Sequence, residues 1–364
     1  MNRGEMLKKK IGRKFIFLFL ILIFMLVVAI LFIRIQVNKQ ENGKTLPLRD
    51  LAKKNNMLLG ASVSSVPFYK DNLYRKMIKK EFNIITIEND LKFSSVHPSE
   101  NQFNFNRSDK IIQFAKKNDI KVRGHTLVWD KHLPNWVTKN NYSNEELKLI
   151  LRDHIKKVVG HYRGKIYAWD VVNEAFNEDG SLKNNFWLRH IGPEYIEFAY
   201  KWAHEADPNA LLFYNDYNYA GINIKSTKIY NEVKRLKEKG VPIDGIGFQF
   251  HKTTEDKINF RSISENIKRF SESGFRVEFT EVDVKIQNIN NNTLNNKIAL
   301  RKQAKIYSNT LNVCLSNESC NAFVMWGVVD KYSWLPEDNK PLILNKNYQP
   351  KPAYFSIYKT LEKN

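Results

Sequence analysis

The feature that most restricts this chain is a repeated alternation. Eight short apolar runs, rich in β-branched and aromatic residues, are separated by longer stretches whose apolar residues recur three and four apart. The runs predict strands at 58–61, 83–88, 121–129, 165–172, 210–214, 245–250, 276–280 and 322–326. The stretches between them predict helices, for example at 109–118, 144–159, 193–206, 224–239 and 296–312. Strands that alternate with helices lie parallel, because each crossover helix returns the chain to the same end of the sheet. Eight such units point to a sheet closed on itself. The expected fold is α/β, a single (β/α)8 TIM barrel over residues 48–362. A barrel needs roughly 250 residues or more, so the 364 present leave room for one barrel and a short appendage.

Polar and aromatic residues collect at the ends of the predicted strands and not at their starts. Glu88, Asn89 and Asp90 end the second, His125 and Trp129 the third, and Asn173 and Glu174 the fourth. Asn215, Asp216, Tyr217 and Asn218 end the fifth, Gln249 and His251 the sixth, Glu281 and Asp283 the seventh, and Trp326 the eighth. The C-terminal ends of barrel strands are where the strand-to-helix loops converge on a site. Seven of the eight units therefore aim their chemistry at one mouth.

The appendage has its own signature. Residues 15–33 are uncharged throughout and follow Lys8, Lys9, Lys10, Arg13 and Lys14. That length spans a bilayer, and the basic flank keeps the N-terminus on the cytoplasmic side. The reading is a basic cytoplasmic segment 1–14, a transmembrane signal-anchor 15–33, a linker 34–47 and then the barrel, anchored to the membrane with its domain extracellular. A cleaved signal peptide is the competing reading and would make the protein secreted; no small-residue cleavage site follows the apolar run.

Net charge is +20, of which residues 1–34 supply +6 through seven Lys/Arg against one Glu. The remainder is spread as lysine over many segments without a basic helix or RNA-binding signature, so nucleic-acid binding is not expected. Cys314 and Cys320 close a small loop if oxidised, which an extracellular address favours; two buried thiols are the alternative.

Two of the strand-end acids suggest a reaction. Cleaving a glycosidic bond with retention needs one protonated carboxyl to donate to the leaving oxygen and one carboxylate to attack the sugar, about 5–5.5 Å apart. Glu174 ends a hydrophobic run and Glu281 ends another, three strands on. Either glutamate alone reads as well as a salt-bridge partner; two on non-adjacent strands of one barrel favour catalysis.

The motifs around them are Glu88-Asn89-Asp90-Leu91-Lys92, Arg123-Gly124-His125-Thr126-Leu127-Val128-Trp129, Trp169-Asp170-Val171-Val172-Asn173-Glu174, Tyr214-Asn215-Asp216-Tyr217-Asn218, Thr280-Glu281-Val282-Asp283 and Trp326-Gly327-Val328. In this order, from about residue 58 to 354, the chain resembles the family 10 glycoside hydrolases, whose principal activity is endo-1,4-β-xylanase. The resemblance implies that Glu174 is the acid/base and Glu281 the nucleophile. It implies that Asn173 bonds the sugar 2-hydroxyl and that His251, with Gln249 nearby, orients Glu281 and favours its charged form.

Glu88, Asn89, Lys92, His125 and Trp129 correspond to the family's set for sugar hydroxyls on the non-reducing side. Trp326 and Trp334 resemble the aromatics that cover the reactive sugar and crowd out a hexose hydroxymethyl group. Tyr217 and Asn218 fall on the leaving-group side. A short disulfide just ahead of the last strand is also a family habit, which favours Cys314–Cys320.

The resemblance breaks after Trp129, where the family usually has histidine and this chain has Asp130. An extra carboxylate there would shift the titration of its neighbours. The expectation is a monomeric, endo-acting retaining hydrolase of β-1,4-xylosidic bonds, with xylan as partner and no metal or cofactor. The alternatives are a retaining hydrolase of another β-linked glycan, or a catalytically impaired surface receptor for glycan.

Overall fold

The computed structural model describes residues 46–287 and 293–364. The eight apolar runs form β1 (Leu58–Val63), β2 (Ile84–Ile87), β3 (Lys121–Val128), β4 (Ala168–Asn173), β5 (Leu211–Tyr217), β6 (Gly245–Thr253), β7 (Arg276–Lys285) and β8 (Cys320–Met325). Each pairs in parallel with the next, and β8 returns to β1 through Leu58 opposite Ala322, which closes the barrel. The expected helices appear as Asn106–Lys117, Asn144–His161, Tyr195–Ala206, Ile224–Glu238 and Thr293–Leu315, each end within three residues of its predicted position. Their starts are set locally. Ser143 and Glu146 form a capping box at the head of Asn144–His161, and Asn223 caps Ile224–Glu238, satisfying backbone N–H groups that would otherwise lack partners.

The compact unit runs from Pro47 to Asn364, slightly beyond the expected limits. Pro47 heads the helix Leu48–Lys54, and the final helix, Pro352–Lys363, packs beside it. The basic segment, the expected membrane span and nearly all of the linker lie outside the described residues. Among the described residues no helix is long and apolar enough to cross a membrane.

The late strands are longer than their apolar runs. β5, β6 and β7 continue through Tyr217, Thr253 and Lys285, so that Asn215, Gln249, His251, Glu281 and Asp283 stand on paired strand backbone instead of loop. Parallel pairing of Gln249 with Glu281 and His251 with Asp283 carries the sheet on into the polar stretch. One extra residue in β7 matters more. Phe248 pairs with Phe279, but Gln249 pairs with Glu281, so Thr280 is an insertion in the ladder. Side chains alternate faces along a strand, and a bulge resets the alternation. Glu278 and Thr280 bond to Arg123 and Asn215 inside the barrel; past the bulge Glu281 and Asp283 also face the mouth. Similar register shifts occur in the β3–β4 and β4–β5 pairings.

Beneath the mouth the barrel holds a buried ionic group. Arg123 is fully enclosed and bonds both Asp170 and Glu278, while Asp170 Oδ2 also meets His125 Nδ1 at 3.0 Å and Tyr167 donates to Glu278 at 3.1 Å. Burial raises the Glu278 carboxyl despite the opposing charge of Arg123. At Asp170 burial acts the same way but is outweighed by Arg123 and His125, which hold this acid below its usual range.

Cys314 and Cys320 are disulfide-bonded, as expected. Cys320 opens β8, so the bridge braces the bottom of the barrel, away from the mouth. Closing so short a loop in the unfolded chain stabilises the fold by about 2 kcal/mol in the loop-entropy model. Cys314→Ser with Cys320→Ser is therefore expected to lower the stability measured by denaturant unfolding by about that amount, with the specific activity at 25 °C unchanged.

Candidate active site

The C-terminal ends of the strands enclose a cleft of about 540 Å³. Every residue expected at the site lines it: Glu174 and Glu281, and around them Glu88, Asn89, Lys92, His125, Trp129, Asn173, Tyr217, Gln249, His251, Trp326 and Trp334. Asn218, Lys131 and His132 complete the wall.

Glu281 is nearly buried and is held at both oxygens. Asn215 Nδ2 donates to Oε1 at 2.8 Å, and His251 Nε2 meets Oε2 at 3.2 Å. The other ring nitrogen of His251 lies 2.9 Å from Asp283 Oδ2, which also accepts from Trp334 Nε1 at 2.8 Å. Burial alone would lower the His251 pKa, but the charge of Asp283 and its hydrogen bond, then Glu281, push it up to about 10. His251 is thus an imidazolium with both N–H groups donating, which fixes the Glu281 carboxylate in one orientation. Room for this packing comes from Gly247, where a Cβ would lie 2.3 Å from Asn215 Oδ1 and displace the amide that holds Glu281.

Glu174 follows β4 immediately and has φ of 55°, a left-handed conformation that costs a non-glycine residue roughly 1–2 kcal/mol. Its backbone N–H bonds Asn215 O at 2.9 Å, and the turn presents the carboxyl to the cleft. Oε1 receives the amides of Gln249 at 3.4 Å and Asn173 at 3.5 Å. Oε2 receives Lys131 Nζ at 2.8 Å, with Lys183 Nζ at 3.7 Å. Burial acts to raise this carboxyl, yet the hydrogen bond and charge of Lys131, followed by Lys183 and Gln249, bring it below its ordinary value.

A chain of neutral amides joins the two acids. Gln249 Nε2 and Asn215 Nδ2 both donate to Asn173 Oδ1, at 3.0 and 2.9 Å, and each reaches on to one of the two carboxyls. This bridge fixes the acids relative to each other without adding charge between them.

The walls carry polar groups and aromatic faces. Lys92 donates to Asn89 at 2.7 Å, and Asn89 to Glu88 at 3.0 Å. The Lys92 and Lys131 ammonium groups stand over Trp129, 5.1 and 5.4 Å from the ring centre, and the Trp129 indole N–H is buried without a protein acceptor among the described residues. Trp326 packs edge-on to His125, while Trp334 is more than half exposed above His251. Tyr217 accepts from Lys183 at 3.3 Å. Burial, reinforced by the charges of Lys92, His125 and Lys131, lowers His132 to about 4, which leaves it neutral at pH 7.

Sequence reasoning missed Asn215 as a support for Glu281 and missed Lys131 and Lys183 on Glu174. Asn215 carried a signal, since it lies in a polar cluster on a strand two residues from Tyr217. The two lysines carried none, being ordinary loop lysines in a lysine-rich chain. Asp130 is the residue that departs from the family pattern after Trp129, but it is Lys131 and His132 of the short 3-10 turn Asp130–His132 that line the cleft, and Asp130 is not among the lining residues.

A pair of carboxyls spanned by amides, at the mouth of an eightfold barrel and between tryptophan faces, defines the protein as a carbohydrate-cleaving hydrolase of the two-carboxyl type. Residues 47–360 match the model of Glycosyl hydrolase family 10, and the chain belongs to that family. It is 45% identical to endo-1,4-beta-xylanase B of Thermotoga neapolitana over 87% of this chain and 92% of that protein, and 40% identical to the beta-1,4-xylanase of Dictyoglomus thermophilum over 89% and 94%. Among solved structures, native xylanase 10B of Thermotoga maritima superposes with a TM-score of 0.84 at 42% identity, covering 87% of this chain and 98% of that one. Xylanase 10B of Thermotoga petrophila, solved in complex with xylobiose, gives the same score and identity over 88% and 98%.

Proposed function

We propose that the protein is an endo-acting retaining xylanase that cleaves internal β-1,4-xylosidic bonds by double displacement, with Glu281 as nucleophile and Glu174 as acid/base. The observation that carries this reading is the fixed pair itself: Glu281 anchored as a carboxylate by His251 and Asn215, and Glu174 on the far side of the amide bridge. Glu281 attacks the anomeric carbon as Glu174 protonates the departing oxygen. Glu174, now a carboxylate, then takes a proton from the water that displaces Glu281.

Asn173 is placed to meet the sugar 2-hydroxyl. Glu88, Asn89, Lys92, His125 and the open indole N–H of Trp129 offer partners for hydroxyls on the non-reducing side, and Tyr217 stands toward the leaving group. Trp326 and Trp334 line the cleft with indole bulk, and if they cover the reactive sugar as such aromatics do in the family, they disfavour a hydroxymethyl substituent and so favour xylose over glucose. The xylanase names of the close relatives and the xylobiose complex of one support the same substrate.

Residues 44–364 are expected to release reducing ends from xylan at several times the rate on mixed-linkage glucan or cellulose, with β-configured ends formed first in the NMR spectrum. Absence of activity on every β-1,4-glycan would overturn the enzyme reading, and release of xylose alone from chain ends would overturn endo action.

The remaining assignments rest on sequence. Residues 1–14 are placed in the cytoplasm, 15–33 in the membrane and 34–47 as a linker, so that a monomeric barrel at 48–362 works outside the cell. Recovery of full-length protein in the washed membrane fraction tests the anchor; recovery in the medium of a chain shortened past residue 33 overturns it.

A further inference from the structure

The surroundings of Glu174 suit only one of the two states that its role requires. Its four polar neighbours are Lys131, Lys183 and the amide nitrogens of Gln249 and Asn173, and all four are donors. A carboxylate is satisfied by such a set, but a protonated carboxyl must itself donate, and an ammonium group cannot accept. The protonated form is nevertheless the one needed when the glycosidic bond breaks.

The four neighbours differ in how firmly they are held. Gln249 and Asn173 are buried in the amide bridge, and the Lys183 side chain is 19% exposed and donates also to Tyr217. Lys131 is the closest of the four, yet its side chain is 57% exposed, and it also stands over the face of Trp129. An ion pair with one exposed partner is worth little, so moving this ammonium aside into water costs little.

We propose that Lys131 is a positioning residue for proton transfer: it holds Glu174 as a carboxylate in the free enzyme, and the entering sugar displaces it, so that Glu174 takes up a proton from solvent only beneath a substrate. In the first step that proton passes to the glycosidic oxygen as the C1–O bond breaks and the bond from C1 to Glu281 forms. Lys131 then returns beside the carboxylate, which accepts a proton from water as the water oxygen bonds to C1 and Glu281 leaves. The depressed titration of Glu174 in the free protein agrees with this.

The other charged groups facing Glu174 come from separate elements, namely Lys92 after β2, Lys183 after β4, His251 on β6 and Glu281 on β7. None of them is hydrogen-bonded to Lys131.

The inference rests on Glu174 being the acid/base, and its test separates the two claims. In the full-length protein, Lys131→Gln and Lys131→Ser are compared with Lys131→Arg and the parent. The pH dependence of kcat/KM is measured on a xylo-oligosaccharide, whose leaving alcohol needs a proton, and on an aryl xylobioside, whose phenolate leaves without one.

Removing a cation in contact with a carboxylate raises its pKa by about 1 unit or more. For Gln and Ser the alkaline limb on the oligosaccharide should therefore move up by about one pH unit, with a roughly tenfold gain in kcat/KM beyond the parent's limb. The limb should stay in place for Arg, and the aryl substrate should show no shift. Coincident limbs for Gln, Ser and parent, or equal shifts on both substrates, would overturn the proposal. Glu174→Gln is the control: if it stops oligosaccharide cleavage and spares the aryl substrate, the acid/base reading stands on its own. If it spares both, both claims fall.

Discussion

Glu281→Ala is expected to lose roughly 10⁴–10⁶-fold of its rate on xylan, the range seen when a covalent nucleophile is removed. The fold should persist, because Asn215 and His251 keep other partners in Asn173 and Asp283. The variant should still bind xylo-oligosaccharide. Removing the carboxylate also leaves a small space on the face from which Glu281 attacks. Azide entering that space should attack an aryl xylobioside and yield the α-glycosyl azide, the configuration opposite to the normal product, visible by NMR. A variant retaining a tenth of the parent rate would place the nucleophile elsewhere. A receptor that only held glycan would behave identically with and without Glu281.

The second large effect concerns stability. Arg123→Met is expected to cost about 3–5 kcal/mol, because it leaves Asp170 and Glu278 facing each other without their shared cation in the barrel interior. In a domain of this size that corresponds to a fall in Tm of roughly 5–8 °C. Arg123→Lys keeps one charge but cannot bond both acids with a planar fork, so its loss should be intermediate. Activity should fall in both variants even where they remain folded, since Asp170 holds His125 in the cleft wall. Equal melting of Met, Lys and parent proteins would mean that the buried group contributes nothing to the fold.

These two predictions differ in how far they could be reached from the sequence. Glu281 was legible because chemistry leaves a compositional trace: an acid at the end of an apolar strand, paired with another such acid and followed by Asp283. The barrel was legible for a similar reason, since eight strand-helix alternations have few other solutions.

Arg123 was visible only as part of a motif; its partners sit 47 and 155 residues further on and meet it only once the barrel closes. The facing of Glu281 was also hidden. Strict alternation from Glu278 and Thr280 would turn Glu281 toward the helices, and only the register shift against β6 brings it inward. Lys131 was hidden for a third reason. Nothing about a loop lysine announces which carboxylate its long side chain will reach, and the departure from the family pattern lies one residue earlier, at Asp130.

The inserted Thr280 has an implication for how this activity can be lost. A residue inserted in β6 between Phe248 and Gln249 would pair with Thr280, restore a regular ladder and turn Glu281 and Asp283 out of the mouth, while leaving both side chains in the chain and the apolar rhythm of β7 unchanged. A lineage could fall silent in this way with every reactive side chain still spelled out in its gene, and a survey of those residues alone would count the broken copy as intact.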